Sequence, residues 1–243
     1  SQGEGRVYFQ GNWKRKLILM DFSAFISQFL VGLSRAMILF VVCAGLSFVL
    51  GVLRVPNIAH GSLYMIGAFA TFTVSKLIGG AAGFWIALVL APLLVALVSL
   101  IAERALFCHL YQREHLMLLL FTFALSLILG DLVKIVWGAE YRSVSPPALL
   151  KGTISIFGAS LPRYNLFLII IGPLVAIALW LFTNKTKVGK ISRAAAVDRE
   201  MVGVLGINAS WVFAIAFVIG CYLAGVGGAL VAPTASIVLG MDH

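Results

Sequence analysis

The chain has 243 residues, of which 61% are hydrophobic and only 11% are charged, and its mean hydropathy is +1.05. A soluble domain usually carries about a quarter of charged residues. This composition therefore excludes an ordinary soluble protein and predicts an integral membrane protein. The formal charge of +9 comes from 18 basic and 9 acidic residues. The basic residues lie mostly between apolar runs, where they orient membrane helices, and form no aromatic-rich patch typical of nucleic-acid binding.

The first twelve residues differ from the rest of the chain. Residues 7–11 read VYFQG, which resembles part of a protease-tag scar. We therefore interpret 1–12 as a flexible, tag-derived N-terminus and 13–243 as a single transmembrane domain. The three cysteines are far apart and the histidines lack metal-ligand spacing, so neither a disulfide framework nor a metal site is predicted.

Six stretches are apolar over enough length to cross a membrane, since a spanning helix needs roughly 20 residues. Their apolar character is continuous, without the two-residue alternation of a β-barrel strand. We therefore predict an all-α, polytopic helical bundle with at least six transmembrane helices. The predicted spans are 25–53, 60–79, 83–102, 115–137, 164–183 and 211–232.

Two of the connections are long. The connection 138–163 contains three prolines, and its segment TISIF at 153–157 predicts a short hairpin strand. The connection 184–210 carries five Lys or Arg residues, which places it in the cytoplasm. Counting spans back places 138–163 on the periplasmic side. The same count also puts the basic residues 14–16 outside, against the rule, so the side of the N-terminus stays open.

A polar interruption at 54–60 separates the first two predicted helices. Pro56 lacks a backbone N–H and disfavours helix at the residue before it, so the first helix should end or kink there. Asn57 is suited to cap the next helix. At the cytoplasmic surface this segment would only anchor a tight turn. At membrane depth, the helix N-terminus would suit a carboxylate and line a substrate path. The candidate residues for either role are Pro56, Asn57, His60, Gly61 and Tyr64.

Small residues recur four positions apart in the first and last predicted helices. Such faces let helix backbones approach closely in lipid. The predicted helix-packing residues are Ser47, Gly51, Ala224, Gly225 and Gly228.

The connection 184–210 has a strongly helix-forming centre around 191–205. Apolar residues fit one face of this segment at Ile191, Ala194 and Ala195, and the pattern is extended by Met201, Val204 and Leu205. Gly203 and Gly206 would loosen or end the helix. From the residues alone, this helix is either an interfacial tether between two spans or a docking element for a cytoplasmic partner.

The sequence contains no recognisable catalytic centre. Ser62 and His60 would face different sides of a helix, and no orienting carboxylate is nearby. There is no Walker-type phosphate loop, so ATP hydrolysis by that route is excluded. A secondary transporter or channel would need ion-binding carboxylates or an inverted repeat, and we find neither in the sequence.

Two motifs together resemble one known family. The run GKISRAAAVDRE with the following LGI, at 189–207, resembles the coupling loop of permeases of branched-chain amino acid (LIV-type) ABC transporters. The run GVLRVPNIAHGSLYMIGA at 51–68 resembles a second landmark of these permeases, and the closest likeness is to their H-type subunit. Val202 departs from the pattern, where an alanine is usual. The expected ATPase-coupling residues are Gly189, Arg193, Ala194, Ala196, Asp198, Arg199, Glu200 and Gly206.

The resemblance implies an ATP-driven importer for branched-chain or related amino acids in the bacterial inner (plasma) membrane. This chain would form half of the translocation pathway, beside an M-type permease, two cytoplasmic ATP-binding subunits and a periplasmic substrate-binding protein. ATP and Mg would be bound by the partner ATPase subunits, so this chain is expected to hold no cofactor and not to be an enzyme. Related systems carry urea, short amides or other small polar solutes. Family members normally continue with about two more helices, so the natural chain is expected to be longer at its C-terminus.

The mechanism that follows from this resemblance centres on one cytoplasmic helix. ATP binding would close the ATPase dimer and move the helix 194–204, whose apolar face would sit in a groove. Charged residues at its rim would fix register more than affinity. These rim residues would be Arg193, Asp198, Arg199 and Glu200.

Overall fold

The computed structural model describes residues 4–54, 57–107, 110, 115–156 and 159–241 of the chain. Helices dominate this part. In chain order the elements are α1 Glu4–Leu53, α2 Ala59–Ile78, α3 Gly80–Ala102, a π-helical turn Glu103–Phe107, α4 His115–Trp137, a 3-10 turn Ala148–Leu150, β1 Thr153–Ile156, β2 Ala159–Pro162, α5 Arg163–Lys185, α6 Lys187–Val197, α7 Arg199–Val204 and α8 Ala209–Val231.

Six helical stretches in the described ranges are long and apolar enough to cross a membrane. Their outward faces carry many exposed leucine, isoleucine and phenylalanine side chains, as lipid contact requires. The predicted class, an all-α polytopic bundle, is therefore confirmed. The six stretches are Phe22–Leu53, Ala59–Ile78, Ala82–Phe107, Leu116–Trp137, Arg163–Lys185 and Ser210–Val231.

The central helix of the bundle is α8, which lies against α1, α2 and α3. Glycines let these backbones touch. A Cβ atom built on Gly45 would lie 2.6 Å from the carbonyl oxygen of Gly220, and one built on Gly67 would lie 2.8 Å from the Cα of Gly225. A Cβ on Gly225 would in turn lie 2.9 Å from the Cα of Pro92 in α3. Such contacts replace the hydrophobic effect as the means of helix association in lipid.

The small residues of α8 lie at this crossing, but those predicted for α1 do not. Ser47 and Gly51 are exposed, and no atom lies within 4 Å of a Cβ built on Gly51. Within the described part of this chain, these two residues therefore do not form a helix crossing. The buried stripe of α1 runs through Val41, Gly45 and Val49. Two positions along a helix are about 200° apart, so Ser47 and Gly51 point away from that stripe.

A β-hairpin caps the end of the bundle where α5 begins. The strands β1 and β2 pair antiparallel, with Thr153 opposite Pro162. The predicted hairpin strand is thus confirmed over Thr153–Ile156, whereas residues 157 and 158 lie outside the described part. The segment after α8 folds back to the same end, where Ile237 and Arg142 exchange two backbone hydrogen bonds of 2.7 and 3.0 Å.

Candidate functional site

The helical conformation is interrupted between α1 and α2, as the proline-containing segment predicts. The first helix ends at Leu53, and the second begins at Ala59. Arg54, just past the end of α1, has a φ of 57°, a value uncommon for a residue other than glycine. Pro56, on which the prediction rested, lies outside the described residues.

The start of α2 lies well inside the bundle. Three hydrogen bonds join α2 and its preceding residue to α4, each between residues 64 positions apart: Ile58 N–H to the Thr122 hydroxyl (3.3 Å), the Ser62 hydroxyl to the Ser126 carbonyl (3.3 Å) and the Trp137 indole N–H to the Thr73 hydroxyl (2.7 Å). The first of these partners lies two turns into α4, roughly 10 Å from the beginning of that helix.

A contact between α2 and α1 also places the start of α2 inside the bundle. His60 Nε2 lies 3.1 Å from the carbonyl oxygen of Val42. Val42 precedes the end of α1 by about three turns, or roughly 16 Å. The first helix therefore runs past the start of α2, and the chain returns into the bundle before α2 begins. The break lies at depth between the ends of α1 and α4, and not level with them.

The predicted N-cap role of Asn57 is wrong. The residue before α2 is Ile58, which is itself helical (φ −64°, ψ −32°), and no side chain caps the helix. The Ile58 N–H is instead satisfied by the hydroxyl of Thr122 on the neighbouring helix. Asn57 is only 4% exposed, and neither atom of its amide group has a hydrogen-bond partner in the described part of the chain. A buried polar group without a partner typically costs about 1–3 kcal/mol.

His60 is the second incompletely paired polar residue at this break. Its ring is 2% exposed. Because a carbonyl oxygen only accepts hydrogen bonds, Nε2 must donate to Val42. In the neutral ring Nδ1 then presents a lone pair, and within the described residues this atom has no hydrogen-bond partner. The break thus offers one unpaired amide group and one unpaired acceptor.

The two other predicted path residues are less enclosed. Gly61 and Tyr64 are half-buried. The backbone of Tyr64 lies at the crossing with α8, where a Cβ on Gly228 would collide with its carbonyl oxygen. Tyr64 therefore helps to position α2, and the unpaired polar atoms belong to Asn57 and His60.

The long connection between α5 and α8 forms two helices, where a single helix over 194–204 was predicted. Asp198 leaves the helical conformation (φ −144°, ψ 105°) and its carboxylate accepts the N–H of Met201 at 2.9 Å. Aspartate competes well for such free N–H groups, so it ends one helix and caps the next. Thr186 caps α6 in the same way, accepting the Gly189 N–H at 3.0 Å.

Several of the predicted coupling residues tie this connection to α5 or end its helices. A Cβ on Gly189 would lie 2.7 Å from the Cα of Thr183, so this glycine permits close packing. Arg193 donates to the side-chain oxygen of Asn184 at 2.9 Å. Gly206, with a φ of 76°, follows the last turn of α7. The side chains of Arg199 and Glu200 lie outside the described part.

The apolar residues of α6 and α7 divide into a buried and an exposed group. Ala195 and Val202 are buried in a cluster with Val52, Val212, Phe213 and Ala216. Four other large apolar residues of this segment are exposed, and we call them together the exposed patch. Its residues are Val197 (79% exposed), Met201 (59%), Val204 (83%) and Leu205 (71%). Ala194 is also exposed, and Ala196 is half-buried.

Sequence reasoning included Met201, Val204 and Leu205 in an apolar face but missed Val197. The signal was available, because positions 197, 201, 204 and 205 follow the i, i+4, i+7, i+8 spacing of one helix face. In the structure Asp198 leaves the helical conformation, so this pattern is divided between α6 and the segment that begins with α7.

A charged contact joins the ends of α3 and α8 on the same side of the bundle. The guanidinium of Arg104, in the π-helical turn, lies 3.8 Å from the ring centroid of Trp211. Arg104 also pairs with the fully buried Glu103 at 3.5 Å. π-Helical turns of this kind occur frequently at functional sites. Neither the stacking nor the pair was predicted from the sequence.

These features define a multi-pass helical membrane protein with a deep polar break and an exposed apolar patch at one end. The chain belongs to the family of branched-chain amino acid transport system permease components, whose family model matches residues 28–241.

Individual relatives agree with this assignment. The chain is 29% identical over 222 residues to the high-affinity branched-chain amino acid transport system permease protein LivH of Salmonella typhimurium and to LivH of Escherichia coli K12; each match covers 86% of this chain and 71% of the relative. It is 26% identical over 230 residues to the permease protein BraD of Pseudomonas aeruginosa, covering 90% and 72%. No solved structure gives a significant match.

Proposed function

We propose that this chain is the H-type permease of an ATP-driven importer for branched-chain or related amino acids in the bacterial inner membrane. It would pair with an M-type permease and take up solute from a periplasmic binding protein. Two cytoplasmic subunits would bind and hydrolyse ATP. The family assignment supports the class of transporter, and the names of the relatives support the substrate class.

The observation that carries the ATP-coupling role is the exposed patch. Four large apolar side chains between the end of α6 and the residue after α7 are more than half exposed. The connection that bears them is the basic one, which the positive-inside rule assigns to the cytoplasm. In water, exposed apolar area carries a cost of roughly 25 cal/mol per Å², and a contiguous patch of this kind is typical of a protein interface. A groove on an ATPase subunit is the occupant that fits this family.

The surroundings of the patch suit the transmission of movement. The buried apolar residues of α6 and α7 pack on Val52 of α1 and on Val212 and Phe213 of α8. Gly189 holds the start of α6 against the end of α5. A displacement of the patch would therefore be passed to three spans and would rock them to switch access between the two membrane sides.

The structure also changes which residues we expect to bind the ATPase. Arg193 bonds to Asn184, and the carboxylate of Asp198 caps α7. Both side chains thus make hydrogen bonds within this chain. We therefore assign docking mainly to the exposed patch and treat these two charges as supports of its shape.

The test replaces Met201 and Val204 by aspartate in the complete transporter. Loss of apolar area and the added charges should remove the ATPase subunits during purification in mild detergent and abolish ATP-driven leucine uptake in proteoliposomes. Leu149 offers a matched control, because it is an equally exposed leucine (78%) at the opposite end of the bundle. Leu149→Asp should retain the ATPase subunits. Normal co-purification and uptake by the double variant would contradict the proposed function of the patch.

A further inference from the structure

We propose that the polar break at the start of α2 is an intramembrane binding site for the carboxylate and ammonium groups of the transported amino acid. This inference rests on the proposed function and deepens it, because it names the residues that recognise the solute inside the membrane. Its core is formed by Asn57, the first turn of α2 and His60.

In the described part of the chain, the Asn57 amide is unpaired although the neighbouring hydroxyl groups are hydrogen-bonded. The hydroxyl groups nearby are engaged: Thr122 donates to the Leu119 carbonyl at 3.0 Å and Ser126 to the Phe123 carbonyl at 2.8 Å. Asn57 has no such partner among the described residues, although it is almost completely buried. In a bilayer, where no water competes, buried polar groups are normally paired. An unpaired amide at this depth therefore marks a position that a polar ligand completes.

The donors at the site suit a carboxylate. A helix N-terminus presents N–H groups without intrahelical partners and the positive end of the helix dipole. Asn57 stands at this N-terminus, since its backbone carbonyl accepts the His60 N–H at 3.2 Å. The N–H groups of Ile58 and His60 are already bonded, so we assign the carboxylate to the two donors of the Asn57 amide NH₂, which are unpaired among the described residues and lie at the positive end of the helix. In membrane transporters, helix N-termini near the midplane bind substrate carboxylates in this manner.

The acceptor at the site suits an ammonium group. The Nδ1 atom of His60 carries a lone pair while Nε2 donates to Val42. Asn57 and His60 are three positions apart, and the hydrogen bond from the His60 N–H to the Asn57 carbonyl keeps the two residues close in the chain turn that begins α2. The site thus offers complementary groups to both ends of a zwitterion, whose apolar side chain would lie against the surrounding apolar helices.

The same site is linked to the exposed patch through α1. His60 contacts Val42 on α1, and Val52 farther along that helix packs under Ala195 and Val202. In the present conformation Asn57 is sealed from solvent. A movement of α6 and α7 that displaces α1 would open the side of the site that α1 covers.

The test uses the complete transporter in proteoliposomes, with its binding protein outside, ATP at the ATPase side and radiolabelled leucine as the probe. Asn57→Leu keeps the branching of the side chain at Cγ and removes the unpaired amide. Leucine uptake should fall at least tenfold, whereas the unfolding temperature of the purified complex should stay the same or rise. The binding protein should still stimulate ATPase activity.

Thr71→Val is the matched control. Thr71 is a fully buried polar residue on the same helix, but its hydroxyl is paired with the Gly67 carbonyl at 2.7 Å. Its replacement should leave uptake within twofold of the unaltered protein. The site proposal is overturned if Asn57→Leu transports normally, or if uptake and unfolding temperature fall together as they would for a structural residue. An unaltered complex without ATP-driven leucine uptake would instead overturn the proposed function.

Discussion

The crossing of α2 with α8 and the exposed patch on α6 and α7 differ in how they are packed. At the crossing, Gly67, Gly225 and Gly228 bring backbones into contact and leave no room for another atom. At the patch, Val204 and Leu205 are large apolar side chains that are mostly exposed. The first region fixes helix positions by backbone contact, and the second leaves apolar area free for a partner. Substitutions should therefore act through added volume at the crossing and through lost apolarity at the patch.

The largest effect is expected from Gly228→Ala. A Cβ at this position would collide with the Tyr64 carbonyl oxygen and lie 2.7 Å from the Ala68 nitrogen. Both are backbone atoms, which cannot rotate away, so we expect a destabilisation of about 3 kcal/mol, at the upper end for overpacking. The measurement is the yield of monodisperse permease in size-exclusion chromatography. Gly130→Ala, where no atom lies within 4 Å of the added Cβ, is the control and should express normally. Equal yields from the two variants would mean that the crossing is not tight.

A smaller effect separates two roles for Asp198. If its carboxylate caps α7, Asp198→Ala should destabilise that helix by about 1 kcal/mol, while Asp198→Asn should retain most of the cap. Uptake per mole of ATP hydrolysed should follow the same order, with the asparagine variant close to the unaltered protein. If the charge itself contacts the ATPase, both variants would lose coupling to the same extent.

The smallest effect concerns the stacking of Arg104 on Trp211. Trp211→Leu should cost about 0.5–1 kcal/mol, the usual range for an exposed cation–π contact. Thermal unfolding of the purified complex is the measurement. Trp180 is equally exposed (57% against 56%) and has no cation–π contact among the described residues. Trp180→Leu should therefore lower the unfolding temperature less, and the reverse order would show that the stacking contributes nothing.

The sequence was sufficient for features that depend on local composition. The six spans follow from continuous apolar runs, and the break before α2 follows from the conformational limits that Pro56 places on its neighbour. The apolar residues 201, 204 and 205 were also recognisable from their spacing. Each of these inferences uses only residues adjacent in the chain or on one helix face.

The predictions from sequence that were wrong or left open concern features that depend on contacts with another helix. The depth of the break depends on how far α1 runs past His60, and no local pattern reports this. Asn57 does not cap α2, because its amide is buried in the bundle without a hydrogen-bond partner among the described residues. Likewise, α1 has small residues on two faces, and only contact with α8 selects Gly45 over Gly51.

Photo-crosslinking from the exposed patch tests the central claim most directly. A photoreactive amino acid is placed at the position of Val204 in the complete transporter, and the same residue is placed at the position of Leu149 as the control. The account predicts an adduct with an ATPase subunit from position 204 only, with a yield that changes when ATP is added. The absence of an ATPase adduct at position 204, or an equal yield at position 149, would contradict it.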